Sequence, residues 1–440
     1  MKRWLIIGGL VLLVGIGTGV AIYVRNESRP KELKGSAKEE FDAREQRKQA
    51  TPAVPWPTYG FDTGRTHTAG DLRHRPPFGR RWSFTARDTI EFPPSVGYRK
   101  LFVAQQRGPF HALDARTGAE RWRKDFGRCA ASSPTVDDRR RVVYQAFMHP
   151  IQCPQNAPGA DGFVVALDVD SGKELWRFKA GPVESSPLLV KDTLYFGSWD
   201  HKVYALDART GKQLWSYETA DKVNTSAAYG DGSVFIANDA GDVYALGARS
   251  GKKRWQSSSE AQFGSREFFY ATPTFAYDRV YVGNTDGTVY AYGAKSGKLR
   301  WARPAGSYVY AAAAAYRGRI YVGSYDGNLY ALDAATGEVD WKHSAPAAIH
   351  AAPQVMNGLV YFATCSSCGM AAKRSVKRGP NGTFALDADS GKELWRSSQG
   401  KYASPIVADE RYVFQIGRTR VFALRERKAD RDRRPPGRPR

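Results

Sequence analysis

A motif of the form Ala-Leu-Asp-x-x-Thr/Ser-Gly-x-x-x-Trp recurs along the chain, ending at Trp122, Trp176, Trp215, Trp255, Trp301, Trp341 and Trp395. A glycine sits four residues before each tryptophan, at Gly118, Gly172, Gly211, Gly251, Gly297, Gly337 and Gly391. Successive tryptophans are 54, 39, 40, 46, 40 and 54 residues apart. A period near forty means a chain of stacked units, none of which buries its apolar face alone.

Each unit reads as four short strands. In the sixth, the small residues Ala311 to Ala315 precede Arg319-Ile-Tyr-Val-Gly, then Asn328-Leu-Tyr-Ala-Leu-Asp, then Val339-Asp-Trp-Lys. Alternation and β-branched or aromatic content favour strands. Asp286-Gly287 and Asp326-Gly327 are tight-hairpin signals, because glycine adopts the positive φ such turns need. The Asp-x-x-Thr/Ser-Gly segment supplies the next turn, with the Asp bonding backbone amides. Gly247 and Gly293 replace that Asp in two copies, so the carboxylate reads as structural and dispensable.

The chain ends settle the number of units. The last repeat runs Tyr412-Val-Phe-Gln and Arg420-Val-Phe-Ala-Leu but has no tryptophan strand, and Trp82 lies alone 40 residues before Trp122. A ring leaves no exposed edge if the first strand completes the last unit. The sequence therefore predicts an all-β, eight-bladed β-propeller of four-stranded antiparallel blades. The blades fall at about 86–122, 123–176, 177–215, 216–255, 256–301, 302–341, 342–395, and 396–426 with 78–85. Eight tryptophans, Trp82 included, are expected to be structural.

With Tyr-Ala-Leu-Asp-Ala-x-Thr-Gly-x-x-x-Trp and the opening Trp56-Pro-Thr-Tyr-Gly-Phe-Asp, residues 56–426 resemble the PQQ-like β-propeller repeat family. That family includes quinoprotein alcohol dehydrogenases and the BamB-type scaffold lipoprotein of outer-membrane barrel assembly, both eight-bladed. The fold does not choose between them. The resemblance to the dehydrogenases implies Ca²⁺, a catalytic Asp, a quinone stacked on aromatic rings and often a disulfide between adjacent cysteines. This chain has no Cys-Cys pair and no Cys-x-x-Cys-His haem site, and its seven histidines lack metal-ligand spacing. PQQ, calcium and other metals are not expected. No cysteine lies near the end of the first apolar segment, so BamB-type lipid anchoring is excluded.

That segment, Trp4 to Val24, carries no charge over 21 residues, enough to cross a bilayer. It follows Met1-Lys-Arg at residues 1–3 and lacks a clear cleavage site, so it reads as an uncleaved transmembrane signal anchor rather than a cleaved peptide. Residues 25–55 are charged and Pro-bearing and read as a flexible tether, and 427–440 as a basic disordered tail. The four cysteines fall in the two longest repeats. Cys129 and Cys153 lie in loops that emerge on one face, and Cys365-Ser-Ser-Cys368 lies in a hairpin loop with no helix to activate a thiol. Disulfides Cys129–Cys153 and Cys365–Cys368 are expected, ahead of a redox dithiol or a four-cysteine zinc site. They place the propeller outside the cytoplasm, at the cell surface or in the periplasm.

Aligned on their Ser/Ala-Pro signature, the inner strands bring Glu91, Glu184, Asn224, Tyr270, Tyr310, His350 and Tyr402 into one column. Their neighbours are small, so this is the variable position, and eightfold geometry rings it round a channel mouth. Such a ring either forms a polar pocket or plugs the channel with its own hydrogen bonds. Three insertions, near Cys153, Phe263 and Cys365, belong to the same face, and the third carries Lys373, Arg374, Lys377 and Arg378. Net charge is +22. It suits a solvated basic surface or attraction to anionic headgroups or wall polymers, and no motif indicates nucleic acid. The expected function is a non-catalytic, membrane-tethered extracytoplasmic scaffold that binds an envelope protein or a small, anionic ligand. The enzyme alternative is a divergent PQQ-dependent alcohol or sugar dehydrogenase.

Overall fold

The computed structural model describes residues 32–44, 52–150, 161–259, 267–368, 379–400 and 405–427. Their strands form eight sheets, seven of four antiparallel strands and one of five in which a short parallel strand joins four antiparallel ones. Blade three is typical, with strands Leu188–Val190, Thr193–Gly197, Lys202–Asp207 and Gln213–Glu218 from the axis outward. The middle strands are packed on both faces by neighbouring blades, so Ser233–Ala237 and Asp242–Gly247 of blade four are buried along their whole length. Such strands lose alternation and read as continuous apolar runs. The outer strand faces solvent on one side, and Gln213–Glu218 alternates accordingly.

The tryptophans join blade to blade. Trp122, Trp176, Trp215, Trp255, Trp301 and Trp341 each donate their indole N–H to a carbonyl at the next blade's motif turn, at 2.8–3.2 Å. The turn glycines have φ of 66–75°. A Cβ at any of them would come within 2.6–2.7 Å of the preceding blade's indole ring. Both conditions require glycine, which explains why Gly and Trp recur together. Trp122, Trp255 and Trp301 are buried, whereas Trp82 and Trp395 are only half-buried at the ring's outer rim.

Ring closure follows the expectation. Strand Phe78–Thr85 pairs with Arg420–Glu426, and Trp82 sits opposite Ala423 as Trp122 sits opposite Ala112. Trp82 donates to the Ala115 carbonyl of blade one at 3.2 Å. The eighth blade has no motif turn, and Trp395 instead packs edge-on against Phe78 at 5.4 Å.

Two N-terminal segments differ from what the sequence suggests. Residues 56–69 run around the inside of the ring rather than leading into it. Pro57, Thr63, Gly64, Thr66 and His67 give their carbonyls to amides of the inner strands at Val136, Tyr229, Phe275, Ala315 and Val355. Thr68–Ala69 then adds a parallel fifth strand to blade seven. Arg65, wholly buried, binds carbonyls of Ser186, Pro187 and Ala227 and so ties the segment to blades three and four.

Residues 32–44, read as part of a flexible tether, are docked on blades five and six. Leu33 exchanges main-chain hydrogen bonds with Ala302, and Gly35 donates to the Thr336 carbonyl. Phe41 packs on Tyr277 at 5.6 Å, and Arg279 binds the carbonyls of Ser36, Glu39 and Glu40. The anchoring groups, an apolar Phe and paired acids, are too few to show as periodicity. The anchor at 4–24, most of the remaining tether and the tail beyond 427 lie outside the described residues. Among the described residues no helix is long and apolar enough to cross a membrane.

Candidate functional site at the channel mouth

The mouth is the face where inner strands begin and where second strands turn into third strands. The motif turns and residues 56–69 occupy the opposite face. The column expected to ring the mouth divides into two halves. Tyr310 and His350 join Tyr308 and Tyr325 in a packed aromatic group: Tyr310 lies 5.0 Å from Tyr325, whose hydroxyl meets His350 Nδ1 at 2.5 Å. Burial lowers the His350 pKa to about 4, so it is neutral. This half plugs its side of the mouth. Tyr59 from the threaded segment closes the axis, packed with Phe92, Ala312 and Ala352.

The other half is open. Glu91, Glu184, Asn224 and Tyr270 line a cavity of about 390 Å³ together with Gln106, Met148, His149, Trp199, Lys222 and Asp239. Tyr270 donates its hydroxyl to Glu184. Asn224 donates both amide protons to Asp239, at 2.7 and 2.8 Å. Burial, then the nearby charges of Glu91 and Asp239, push the Glu184 pKa up to about 8. Burial with Asp88 nearby raises Glu91 to about 7, and burial with Asp221 nearby raises Asp239 to about 7. Lys222 stands over the Trp199 ring at 4.9 Å, and His149 flanks that ring at 5.0 Å.

Among the described residues, four polar atoms of this wall are buried without a hydrogen-bond partner: Trp199 Nε1, both ring nitrogens of His149, and Asn224 Oδ1. The Trp199 N–H lies close enough to favour the ionised form of Glu184 yet makes no well-aligned hydrogen bond to it. Buried groups of this kind are ordinarily paired, and several orphans facing one cavity mark a place where an incoming molecule supplies the partners.

Asp239, Trp199, His149 and Lys222 escaped the sequence reading. Met148, Trp199, Asp239, Tyr325 and Cys365 form a second column, just beyond the second strand, where the chain turns over the mouth. A sequence signal existed, since Trp56 and Trp199 are the propeller tryptophans that do not fall on an outer strand of a blade. Tyr402, Cys153, Lys373, Arg374, Lys377 and Arg378 lie outside the described residues, as do the three insertion tips. Their flanks border the mouth: Cys129 and Phe268 line the cavity, and Cys365 and Cys368 pack among the tyrosines. Cys365–Cys368 is a disulfide, and Cys129 is also disulfide-bonded.

The raised carboxyls give a stability prediction. Glu184 and Asp239 bind protons more tightly folded than unfolded, so their contribution is full below the unfolded values of 4.5 and 3.8 and is lost as pH rises through about 8 and 7. The Glu184→Gln/Asp239→Asn variant lacks this loss. Between pH 5 and pH 9 its unfolding free energy should gain on the parent by up to roughly 7 kcal/mol, about 1.4 kcal/mol for each pH unit over which a carboxyl stays protonated only when folded. Urea titrations at the two pH values measure this, and parallel pH profiles would show that the carboxyls are not buried as described.

A family model described as outer membrane protein assembly factor BamB matches residues 79–231, 200–315 and 305–431. The chain belongs to the BamB-like family of PQQ-like propellers. BamB from Moraxella catarrhalis superimposes with a TM-score of 0.63 at 15% identity, covering 79% of this chain and 100% of that one. Quinohemoprotein alcohol dehydrogenase from Comamonas testosteroni superimposes with a TM-score of 0.67 at 14% identity, covering 87% and 82%. Identities this low show the shared fold alone. In sequence, polyvinylalcohol dehydrogenase of Pseudomonas sp is 29% identical over 118 residues, 25% of this chain and 16% of that protein. Quinohemoprotein alcohol dehydrogenase ADH-IIG of Pseudomonas putida is 32% identical over 95 residues, 22% of this chain and 13% of that protein. The chain thus matches a small part of these relatives' length.

Proposed function

We propose that this BamB-like propeller is a non-catalytic binding protein whose mouth receives a cationic group, carried by an envelope protein partner or by a small ligand. The observation that carries this reading is the cavity wall itself. Three carboxyls, Glu184 buried and Glu91 and Asp239 half-buried, crowd one another beside the four orphaned polar atoms, and a guanidinium or ammonium would relieve the like-charge repulsion while an attached hydroxyl or amide satisfies the orphans. The anionic ligand expected from the basic loop at 373–378 suits that loop but not this cavity.

The competing reading, a quinoprotein dehydrogenase, draws on the dehydrogenase relatives. PQQ is a flat tricarboxylate. In this cavity its acids would meet Glu91, Glu184 and Asp239, and the Trp199 face it would stack on is covered by Lys222. The described residues hold no group of three or more His, Cys, Asp or Glu placed to bind a metal, whereas Ca²⁺ takes about six to eight oxygens. The donor set does not suit the cofactor, and we assign no redox step to the site.

The disulfides favour an oxidising compartment. The test is site-specific photocrosslinking in intact cells from Gln106, at the mouth, and from Arg209, on the opposite face. An adduct from Gln106 that Glu184→Gln/Asp239→Asn removes supports the proposal. Adducts from Arg209 alone would move the binding surface to the other face.

A further inference from the structure

In blades one, two, three, six and seven the motif aspartate caps its own turn. Asp114 of blade one accepts the Arg116 and Thr117 amides at 3.0 and 2.9 Å and the Thr117 hydroxyl at 3.1 Å. Blade five has Gly293 in place of that aspartate, and Glu40 of the docked segment enters instead. Its carboxylate accepts the Lys295 and Ser296 amides at 3.0 and 2.9 Å and the Ser296 hydroxyl at 2.5 Å. A Cβ on Gly293 would lie 1.9 Å from Glu40 Oε2, so the missing side chain makes the room. In blade five the capping carboxylate thus comes from the docked segment instead of the motif position.

An arginine completes the arrangement. Arg300, directly before the outer-strand tryptophan, binds Glu40 with one guanidinium nitrogen and Glu39 with another. Arg121, at the same place in blade one, reaches Asp114 at 2.6 Å. In both blades the arginine and the turn amides grip one carboxylate.

Blade four repeats the blade-five set as Gly247, Ser250 and Arg254, yet no carboxylate of the described residues caps its turn. Arg254 is exposed and bonds only the Asp231 carbonyl at 3.1 Å and the Ser233 hydroxyl at 2.7 Å. Arg249, Lys252 and Lys253 are exposed beside it. Asp231 is the neighbouring acid, and its carboxylate lies 3.8 Å from Lys295 Nζ.

We infer that the blade-four turn is a docking site for a glutamate side chain on an extended acidic segment of a partner protein, held as Glu40 is held in blade five. The Ser250 N–H, which donates to the Gly247 carbonyl at 3.1 Å, turns with its neighbouring amide to the incoming carboxylate as the Ser296 N–H does to Glu40, Arg254 supplies the second grip, and the basic flank attracts acidic rather than neutral chain. The filled blade-five copy shows the ligand chemistry: adjacent acids, Glu39 and Glu40, followed by an aromatic. The site is on the face opposite the mouth and stands independently of the function proposed above.

The probe is the acetylated, amidated peptide Ser-Ala-Lys-Glu-Glu-Phe-Asp-Ala-Arg, the sequence of residues 36–44, titrated calorimetrically into the full chain at low salt. The parent should bind it. Gly247→Asp, which supplies in place the aspartate that five sister blades carry, should weaken binding about tenfold or more while the melting temperature holds or rises. Arg254→Gln, or a peptide with both glutamates changed to glutamine, should weaken it by a similar factor. Absence of binding by the parent, or equal binding by Gly247→Asp, overturns the inference. So does inorganic phosphate binding as tightly as the peptide, which would mark a general anion site. Parent dimers in sedimentation that Gly247→Asp dissolves would make a second copy the occupant, and would equally overturn it.

Discussion

Deletion of residues 78–85 should lower the melting temperature by roughly 10 °C or more and leave a protein that self-associates. The strand Phe78–Thr85 is the whole outer layer of blade eight and pairs along Arg420–Glu426. Without it, that strand presents an unpaired edge, and the seam between the chain's two ends loses its Trp82 and Phe78 contacts with Ala115 and Trp395. Trp82→Ala alone should cost about 2–3 kcal/mol, less than a fully buried tryptophan, because the side chain is only partly buried. Differential scanning calorimetry with light scattering measures both effects. An unchanged transition after the deletion would mean that the ring does not close through this strand.

The second large effect concerns the segment threaded inside the ring. Arg65→Ala should destabilise the protein by about 3–5 kcal/mol, as expected when one partner of a buried charged network is removed. Arg65 has no exposure and donates to Ala227 O at 2.9 Å, Thr58 Oγ1 at 2.7 Å, Ser186 O at 3.0 Å and Pro187 O at 3.2 Å. Truncation takes this donor from the Ala227 and Ser186 carbonyls, while Thr58 Oγ1 and the Pro187 carbonyl keep Thr135 as a partner, so the cost exceeds that of the lost contacts at the first two. Arg65→Lys should recover little, because an ammonium cannot span acceptors arranged for a planar fork. Urea denaturation gives the number. A change below about 1 kcal/mol would show that the segment is not anchored by this residue.

What the sequence made legible follows from repetition. Each blade must bury the same faces and meet the same neighbour, so Gly118, Trp122 and their counterparts recur, and their spacing carries the fold. Closure was legible for the same reason, because Trp82 and the blade without a tryptophan strand complete each other. The site was half legible. Variation in an otherwise small-residue column exposed Glu91, Glu184, Asn224 and Tyr270, but the column could not say that Tyr310 and His350 would pack shut. Asp239 stands in a second column just beyond the second strand, and His149 beside it, but the residue type there changes from blade to blade and no shared motif marks it. Residues 56–69 and Glu40 act through single long-range contacts, and such contacts leave no local pattern. The one trace was negative, a glycine at 293 where an aspartate belongs and acids in the segment that fills it.

The claim that the mouth binds a cationic group is tested most directly by calorimetric titration of the full chain with acetyl-arginine-methylamide at pH 6 and pH 8.5, beside the Glu184→Gln/Asp239→Asn variant. Glu91, Glu184 and Asp239 lose their protons between these values, with pKa values raised by burial to about 7, 8 and 7. Binding by the parent should therefore tighten about tenfold or more on going to pH 8.5, and the variant should lose most of that gain. Equal affinity at both pH values, or the same pH dependence in the variant, would contradict the assignment of the mouth cavity as the binding site.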